Sequence, residues 1–440
     1  MLIRNAEIIT MNPDNEIVYG DLLIEKDTIS EIGTKISSLG VEKIIDASGK
    51  TVIPGFIQTH IHLCQTLFRG QADDLELLDW LKQKIWPLEA AHDQESIYYS
   101  AMLGIGELIQ SGTTAIVDME TVHHADSAFL AIAGSGIRAI SGKVMMDKGN
   151  DVPIRLFEST KKSLQQSVDL LEKWHNYDHG RIQYAFSPRF VISCTEELLT
   201  EVRDLSNQYQ VHVHTHASEN LEEIRIIEQE RGMRNVIYLD HIGLASHRLI
   251  LAHCVWLNDE EKRIIKERGI KVSHCPSSNL KLASGIAEIP DLMTRQIPIS
   301  LGADGAPCNN NLDMFKEMRL ASMIQKSIHG PTAMNAYTVF KMATIGGAEA
   351  VGLEHQIGSL EVGKKADLAI LNLEDFHVFP SFGVDPISRL VYSATSADVE
   401  TTMINGKIIM ENRQMKTMDK SIILKEANSS MKRLLKRVSK

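Results

Sequence analysis

PGFIQTHIH, residues 54–62, is the stretch from which the rest of the chain can be interpreted. The apolar run that ends at Ile57 predicts a buried β-strand, and His60 and His62 follow it two residues apart. Residues i and i+2 of a strand point to the same face. Two imidazoles on one face at the end of a buried strand can bind one metal ion. We therefore expect the remaining sequence to supply further ligands and a pocket above the ion.

Beyond Pro54, long helical patterns alternate with short apolar segments that have the length and composition of strands. These segments are TTAIVDM (113–119), IRAISGKVM (137–145), IQYAFSP (182–188), VHVHTHA (211–217), LILAHC (249–254), IKVSHC (270–275) and ISLGAD (299–304). With the strand that ends at His60 they make eight. That number predicts an α/β fold of the (β/α)8 TIM-barrel type, in which the chemistry lies at the C-terminal ends of the strands.

The sequence patterns at both ends of the chain differ from those of the central region, and they predict short strands separated by turns. We predict that residues 1–53 and 357–420 together form one small β-sandwich domain. The barrel, residues 54–356, would then be one uninterrupted insertion. Residues 421–440 predict a C-terminal helix with a basic end, which complements the helix dipole.

Composition excludes several classes of function. The chain has 440 residues, of which 43% are hydrophobic and 23% charged, as in ordinary globular proteins. The net charge of −11 argues against nucleic acid as a partner, because binding to phosphates needs a basic surface. Its five cysteines contain no CxxC pair, which indicates a reducing compartment.

The N-terminal sequence lacks the apolar core of a signal peptide, and no stretch reaches the length of a membrane span. We therefore expect a cytoplasmic protein that acts on a small molecule, with neither membrane nor nucleic acid as partner. The sequence is also compatible with a homo-oligomer.

Two further predicted strands end in residues that can bind a metal, His216 and Asp304. Together with His60 and His62 they offer three imidazoles and one carboxylate, which leaves a position for water, as in catalytic zinc sites. Iron or manganese would accept the same donors. The alternative is that these are unrelated polar residues at strand ends. No lysine follows the strand IQYAFSP, and a lysine there could bridge two metals, so one divalent ion is favoured.

Glu219 lies three residues beyond His216, a spacing that places a carboxylate beside the metal. It can carry a proton from water to the substrate. The competing interpretation makes Glu219 a helix N-terminal residue, with Ser218 as the N-cap of the helix that begins at Leu221. Position alone does not separate the two interpretations.

Other histidines compete for roles in the site. His253 ends the strand LILAHC and could polarise the attacking water or the leaving group, although a buried structural histidine is the common alternative. His274 is a weaker candidate. His212 and His214 share a strand face with His216, and His216 is preferred as the ligand because only it has a glutamate three residues later.

Six segments, in order, resemble the amidohydrolase superfamily, and within it the group of deaminases and s-triazine hydrolases. They are PGFIQTHIHL, HASE, LAHC, SHCPSSNLKLASG, GADGAPCNNNLD and GSLEVGKKADLAIL, and they cover nearly the whole chain. The resemblance implies a hydrolase with one metal ion, bound by the two histidines of residues 54–62, His216 and Asp304.

The resemblance also implies roles in the reaction. The metal would lower the pKa of a bound water toward ~7. Asp304 would accept the proton of that water, and Glu219 would protonate the ring nitrogen next to the attacked carbon. His253 would stabilise the oxyanion while ammonia leaves.

The substrate signature is mixed. Residues 69–90, RGQADDLELLDWLKQKIWPLEA, resemble the methylthioadenosine/S-adenosylhomocysteine deaminases, whose ribose-binding glutamate after Trp-Pro matches Glu89. The alternative for Glu89 is a surface position on a helix. Where that subgroup has a substrate-binding histidine this chain has Arg189, and Arg189-Phe190 with Gln65 resembles guanine deaminase.

These residues, with His216 and Glu219, are the expected substrate contacts. We expect an adenosine-type nucleoside: methylthioadenosine, S-adenosylhomocysteine or 5′-deoxyadenosine. A free base such as guanine is the second candidate, and an s-triazine, by dechlorination or N-dealkylation, the third. A non-catalytic binding protein is the last.

Overall fold

The computed structural model describes residues 1–149 and 151–438, which form a mixed α/β structure. Its strands are β1 (Leu2–Ile9), β2 (Ile17–Glu25), β3 (Thr28–Gly33), β4 (Ile44–Asp46), β5 (Lys50–Pro54), β6 (Phe56–His62), β7 (Thr113–Met119), β8 (Arg138–Gly142), β9 (Val144–Met145), β10 (Ile182–Tyr184), β11 (Ser187–Pro188), β12 (Val213–Ala217), β13 (Leu249–His253), β14 (Lys271–His274), β15 (Ile299–Leu301), β16 (Asp304–Gly305), β17 (Leu368–Asn372), β18 (Val399–Ile404), β19 (Lys407–Glu411) and β20 (Gln414–Met415).

Helices alternate with the strands of the central region. They are α1 (Leu77–Trp80), α2 (Trp86–Ala90), α3 (Gln94–Gln110), α4 (Ala125–Ser135), α5 (Thr160–Trp174), α6 (Tyr177–Gly180), α7 (Glu196–Tyr209), α8 (Leu221–Arg231), α9 (Asn235–His241), α10 (Asp259–Arg268), α11 (Pro276–Lys281), α12 (Ile289–Thr294), α13 (Ala306–Asn309), α14 (Met314–His329), α15 (Ala336–Ala343), α16 (Ile345–Ala350), α17 (Pro386–Tyr392) and α18 (Lys420–Val438). A turn of π-helix, Leu81–Ile85, joins α1 to α2.

The central strands pair in parallel. One sheet has the order β10-β8-β7-β6-β16, and another has the order β12-β13-β14-β15. A parallel bridge from Phe186 to Val213 connects the segment after β10 to β12. Strand β6 is buried along its whole length, as its apolar sequence predicts. Because parallel strands present their carboxyl ends at one edge, this arrangement collects the strand-end side chains on one side of the molecule.

Both chain ends contribute to a separate sheet of nine strands, with the order β20-β19-β18-β17-β5-β1-β2-β3 and β4 paired to β1. Strand β17 from the C-terminal part pairs antiparallel with β5 from the N-terminal part. The pairings join all nine strands in one sheet. The arrangement as two facing sheets stays a prediction.

The C-terminal helix α18 packs beside α2 and α3. Ala427 and Leu434 belong to a buried cluster that also contains Trp80 and Trp86. At the last turn, the Arg437 side chain donates from Nε to the carbonyl of Ala91, 2.6 Å away. Residues 439 and 440 of the predicted helix lie outside the described residues. Among the helices described, none combines the length and the hydropathy needed to cross a bilayer.

A buried ion pair connects the sheet of the chain ends to the central strands. Arg138 begins β8, and its Nε donates to Asp367, next to β17, over 2.8 Å. Asp367 also accepts from the backbone nitrogen of Asn405 at 2.7 Å. Both charged side chains are almost fully buried, so removing one would leave its partner charge uncompensated.

We expect Arg138→Met to lower the free energy of unfolding by about 3–5 kcal/mol, the cost of an unpaired buried carboxylate. Chemical denaturation followed by fluorescence measures the change. The control is Arg263→Ala, which removes an exposed ion pair with Glu267 on α10 and should cost about 0.5 kcal/mol or less. Equal effects of the two substitutions would show that the buried pair does not stabilise the contact between the sheets.

Candidate active site

Four side chains expected to bind a metal come together from the carboxyl ends of β6 and β12 and from the start of β16. His60 and His62 end β6, His216 is in β12, and Asp304 begins β16. Strand β16 pairs with β6 so that Asp304 lies opposite Ile61, between the two histidines. One ligand atom from each of the four side chains lies within 4.8 Å of the others. Residues separated by 244 positions (304 − 60) thus form one cluster.

Backbone carbonyls orient two of the imidazoles. His62 Nδ1 lies 2.7 Å from the carbonyl of Met119, and His216 Nδ1 lies 2.6 Å from the carbonyl of Arg189. A carbonyl only accepts, so Nδ1 carries the hydrogen in both rings and Nε2 of a neutral ring keeps its lone pair. The two Nε2 atoms face each other at 3.2 Å. Two lone pairs at that distance repel each other unless a cation lies between them.

His60 completes the set from beneath. Its Nδ1 is 2.9 Å from Nε2 of His214, and its own Nε2 is buried with no hydrogen-bond partner among the described residues. Burial lowers the pKa of His60 to about 4, so its imidazole is neutral at physiological pH. Three imidazoles with converging Nε2 atoms are donors that a divalent first-row metal prefers.

Asp304 supplies the carboxylate. Its Oδ1 lies 3.3 Å from Nε2 of both His60 and His62. Its Oδ2 accepts from Ser278 Oγ at 2.5 Å. Burial alone would raise the pKa of Asp304, but the adjacent imidazoles hold it well below the usual range. The ionised carboxylate and the three imidazoles fit a divalent metal ion.

Glu219 and His253 lie beside this cluster. His253 Nε2 is 3.4 Å from Glu219 Oε2 and 3.9 Å from Asp304 Oδ2. Burial raises the pKa of Glu219 to about 7. Burial opposes protonation of His253, yet the carboxylates of Glu219 and Asp304 raise its pKa. A carboxyl group that titrates near neutrality can both take and give a proton.

Hydrogen bonds from neighbouring residues hold the side chains of His253 and Glu219. Asn279 Oδ1 is 2.8 Å from His253 Nδ1, and Ser284 Oγ donates to Glu219 Oε1 at 3.2 Å. Ser278, Asn279 and Ser284 lie in the segment SHCPSSNLKLASG and were not predicted as site residues. Their only signal was a dense run of small polar residues after a strand.

Three residues beside the metal ligands, or among them, have left-handed backbone conformations. Ser218, His253 and Asp304 have φ angles of 53°, 72° and 63°. Left-handed conformations of residues other than glycine cost about 1–3 kcal/mol and persist where surrounding contacts enforce them. Here they turn the chain sharply after β12, at the end of β13 and at the start of β16, which directs polar side chains into one space.

The structure corrects one interpretation of Glu219. Ser218 is not an N-cap: helix α8 is capped by Asn220, which accepts from the nitrogen of Glu222 and forms a capping box with Glu223. Glu219 therefore lies in the turn before the helix. Its carboxylate is directed at His253 rather than at the helix terminus.

The remaining histidines have separate positions. His214 contacts His60, whereas the His212 ring nitrogens lie 3.1 and 3.0 Å from the carbonyls of Arg248 and Val351. His274 is buried, and neither of its ring nitrogens has a partner among the described residues. None of these three belongs to the four-residue cluster.

Three of the predicted substrate residues, Gln65, Glu89 and Arg189, form one polar cluster. Arg189 Nη1 is 2.7 Å from Glu89 Oε2, and Gln65 Nε2 donates to Glu89 Oε1 at 2.9 Å. Glu89 is only 3% exposed, so a surface position for it is wrong. Gln65 and Arg189 line the cavity above the metal ligands. Glu89 is not among the described lining residues and lies behind those two side chains.

A second wall of the cavity is apolar. It is formed by Leu77, Trp80, Leu81, Phe190 and Leu282. Leu77, Trp80 and Leu81 come from α1 and the π-helical turn that follows, within the long helical pattern seen in the sequence. An apolar wall facing metal ligands and a polar cluster suits a flat heterocycle with a polar substituent.

Comparison with known proteins agrees with this geometry. The sequence model of the amidohydrolase family matches residues 51–409. A 5′-deoxyadenosine deaminase of Methanobrevibacter smithii is 43% identical over 436 residues, which are 99% of this chain and 98% of that protein. A 5-methylthioadenosine/S-adenosylhomocysteine deaminase of Syntrophomonas wolfei is 39% identical and spans 99% of both chains.

Among solved structures, an adenosine deaminase from Xanthomonas campestris with bound zinc has a TM-score of 0.90 and 30% sequence identity. The match covers 99% of this chain and 98% of that one.

We expect the purified chain to bind one divalent ion and His216→Ala to weaken that binding at least about a hundredfold, because one of the four donors is lost. Metal analysis after dialysis against a chelator series measures the affinity. The control His355→Ala changes a ring that is 92% exposed and should retain the ion. Unchanged affinity in His216→Ala would exclude His216 as a ligand.

Proposed function

The chain belongs to the amidohydrolase family, and we propose that it is a metal-dependent deaminase that releases ammonia from an adenosine-type nucleoside. The observation that carries this proposal is the position of Glu219. Its carboxyl group, with a pKa near 7, lies beside His253 and the four converging metal ligands, at the floor of a cavity with one polar and one apolar wall.

The metal in this proposal is zinc, bound by His60, His62, His216 and Asp304. Zinc accepts this set of nitrogen and oxygen donors, and the related adenosine deaminase structure contains zinc. When bound, a divalent ion of this kind lowers the pKa of a water molecule to near neutrality. The chain's own residues then have to move protons and orient the substrate.

Asp304 is placed to accept the proton of the attacking water, since its carboxylate contacts both His60 and His62. Glu219 transfers a proton to the ring nitrogen next to the carbon that is attacked. His253, held by Asn279, donates to the oxygen that gains negative charge. The amino group takes the proton held by Asp304 and leaves as ammonia, while the added hydroxyl returns its proton to Glu219 and becomes the carbonyl of the product. The raised pKa values of Glu219 and His253 suit the two groups that donate a proton or a hydrogen bond in this scheme.

The relatives' substrates and the cavity favour a nucleoside with a small 5′ substituent. The polar wall of Gln65 and Arg189, with Glu89 behind them, suits ribose hydroxyls, and the apolar wall suits a methyl or methylthio group. Arg189 is the cation among the described lining residues, and its charge is paired with Glu89. The charged tail of S-adenosylhomocysteine therefore lacks a free counter-charge there, so we place 5′-deoxyadenosine and methylthioadenosine before it.

The proposed architecture follows from the pairings described above. Eight parallel strand positions, beginning at β6, would close into a (β/α)8 barrel through the pairing of β16 with β6. Residues 54–356 would form this barrel, and residues 1–53 with 357–420 the domain of the chain ends. The pairing of β17 with β5 supports that division.

Glu219→Gln should retain the metal and lower kcat by a factor of about 10²–10⁴, because the amide cannot carry a proton. Ammonia release measures turnover, and metal analysis verifies the site. Glu222→Gln is the matched control, since Glu222 is a glutamate in the first turn of α8 with a side chain 55% exposed. Near-normal turnover of Glu219→Gln would remove Glu219 from the mechanism.

Side-by-side assays of 5′-deoxyadenosine, methylthioadenosine, adenosine, S-adenosylhomocysteine and guanine test the substrate class. We expect the first two to have the highest kcat/KM and guanine a value at least about a hundredfold lower, because guanine lacks the ribose that contacts the polar wall. Preference for guanine would replace the nucleoside proposal with a free-base deaminase.

A further inference from the structure

Helix α14 carries a buried carboxylate outside the site described above. The side chain of Glu317 is fully buried and is not among the described residues that line the cavity. Its carboxylate accepts from Ser277 Oγ at 2.5 Å, from the backbone nitrogen of Ser277 at 3.3 Å and from Asn309 Nδ2 at 2.8 Å. All three donors are neutral, and burial raises the pKa of Glu317 to about 7. A charge is costly in such a position, and departures of this kind are expected at functional sites.

The first contact of Glu317 is with the start of helix α11. The N-cap residue of that helix, Cys275, provides no side-chain hydrogen bond. The first N–H groups of a helix need acceptors from outside it. Glu317 accepts from both the N–H and the hydroxyl of Ser277, the second residue of the helix. Two bonds to one residue fix the start of α11 in direction as well as in position.

The next two residues of α11 bond the groups that handle protons in the proposed reaction. Ser278 Oγ donates to Asp304 Oδ2 at 2.5 Å, and Asn279 Oδ1 lies 2.8 Å from His253 Nδ1. The other nitrogen of that ring, Nε2, lies 3.9 Å from the same Oδ2 of Asp304. Because the two bonds come from consecutive residues of one helix, a shift of α11 would disturb both side chains at once.

The second contact of Glu317 reaches Asp304 through the main chain. Asn309, the last residue of α13, donates from Nδ2 both to Glu317 Oε1 and to the carbonyl of Ala303, over 2.8 and 2.7 Å. Ala303 precedes Asp304, whose backbone has a φ of 63°. Such a conformation persists only where surrounding contacts enforce it. Asn309, held by Glu317, supplies one of these contacts.

We propose that Glu317 is a positioning residue for the deamination: its carboxylate fixes α11 and the segment before Asp304, and thereby the arrangement of Asp304 and His253. The roles of those two groups rest on the proposed function. Glu317 touches neither of them and acts through its neighbours. A carboxylate has two oxygens that accept, whereas a glutamine would offer one oxygen and an amide nitrogen that cannot accept.

Glu317→Gln tests the proposal, because the amide cannot satisfy all three donors. We expect kcat for 5′-deoxyadenosine to fall by a factor of about 10–100, since small displacements of reacting groups have effects of that size. KM should change by less than about threefold, because the walls of the cavity keep their side chains. Ammonia release measures both constants. A normal kcat would overturn the proposal.

Asp21→Asn is the matched control for a general loss of stability. Asp21, on β2, is a carboxylate that is 3% exposed and accepts from the backbone nitrogens of Asn5 and Ile36 at 3.1 and 2.9 Å. Arg4 Nε lies 3.7 Å from it. Both substitutions replace a buried carboxylate by its amide and should lower Tm, but only Glu317→Gln should lower kcat. Equal losses of kcat, measured well below both Tm values, would overturn the proposal.

A double-mutant cycle with Ser277→Ala tests whether Glu317 acts through α11. Ser277→Ala removes one hydrogen bond and keeps the backbone contact, so we expect a loss of kcat of about three- to tenfold. If the two residues act through the same contact, the double variant should have the kcat of Glu317→Gln within about twofold. A loss equal to the product of the two single losses would mean independent effects and would refute the route through α11.

A spectroscopic measurement separates this inference from the proposed function. Cobalt(II), loaded in place of zinc, has a visible absorption spectrum that depends on the geometry of its ligands. Because Asp304 is one of the four expected ligands, Glu317→Gln should change the spectrum of the cobalt-loaded chain and Asp21→Asn should not. An unchanged spectrum in Glu317→Gln would overturn the proposal. A wild type that deaminates no nucleoside, with the expected change of spectrum in Glu317→Gln, would instead refute the proposed function and support the positioning of Asp304 by Glu317.

Discussion

The structure depends on three imidazoles and one carboxylate being held within a few ångströms of each other. Main-chain carbonyls fix Nδ1 of His62 and of His216, which forces the two Nε2 lone pairs to face each other at 3.2 Å. No covalent or apolar contact would select that arrangement, since it is repulsive without a cation. This arrangement is maintained by the positions of the strand ends, by the left-handed turns and by hydrogen bonds from neighbouring side chains. That is the pattern of a preformed metal site.

Helix α11, which follows β14, sets the relative position of Asp304 and His253. Consecutive residues, Ser278 and Asn279, bond Asp304 and His253 respectively. The residue before them, Ser277, donates to the buried carboxylate of Glu317 on α14. One short helix thus fixes two groups from different strands, and α14 fixes that helix. Small displacements of α11 would therefore move both Asp304 and His253.

Much of the positioning could be predicted from local sequence patterns. The period of two places His60 and His62 on one face, and the spacing from His216 to Glu219 places an acid beside the ligands. What could not be predicted depends on tertiary contacts. Asn220 rather than Ser218 caps α8, because the chain makes a left-handed turn at Ser218 that no propensity indicates. The helical pattern of residues 73–89 likewise does not reveal the π-helical turn that supplies Leu81 to the cavity.

The pairing of Glu89 with Arg189 was also hidden, because 100 residues (189 − 89) separate them in the sequence. Read separately, Glu89 indicates a nucleoside and Arg189 indicates a free base, and the sequence therefore looks contradictory. In the structure the two charges neutralise each other in a buried contact. Removing one charge would leave the other buried without its partner. The two residues therefore have to be interpreted as one site and not as two separate substrate signatures.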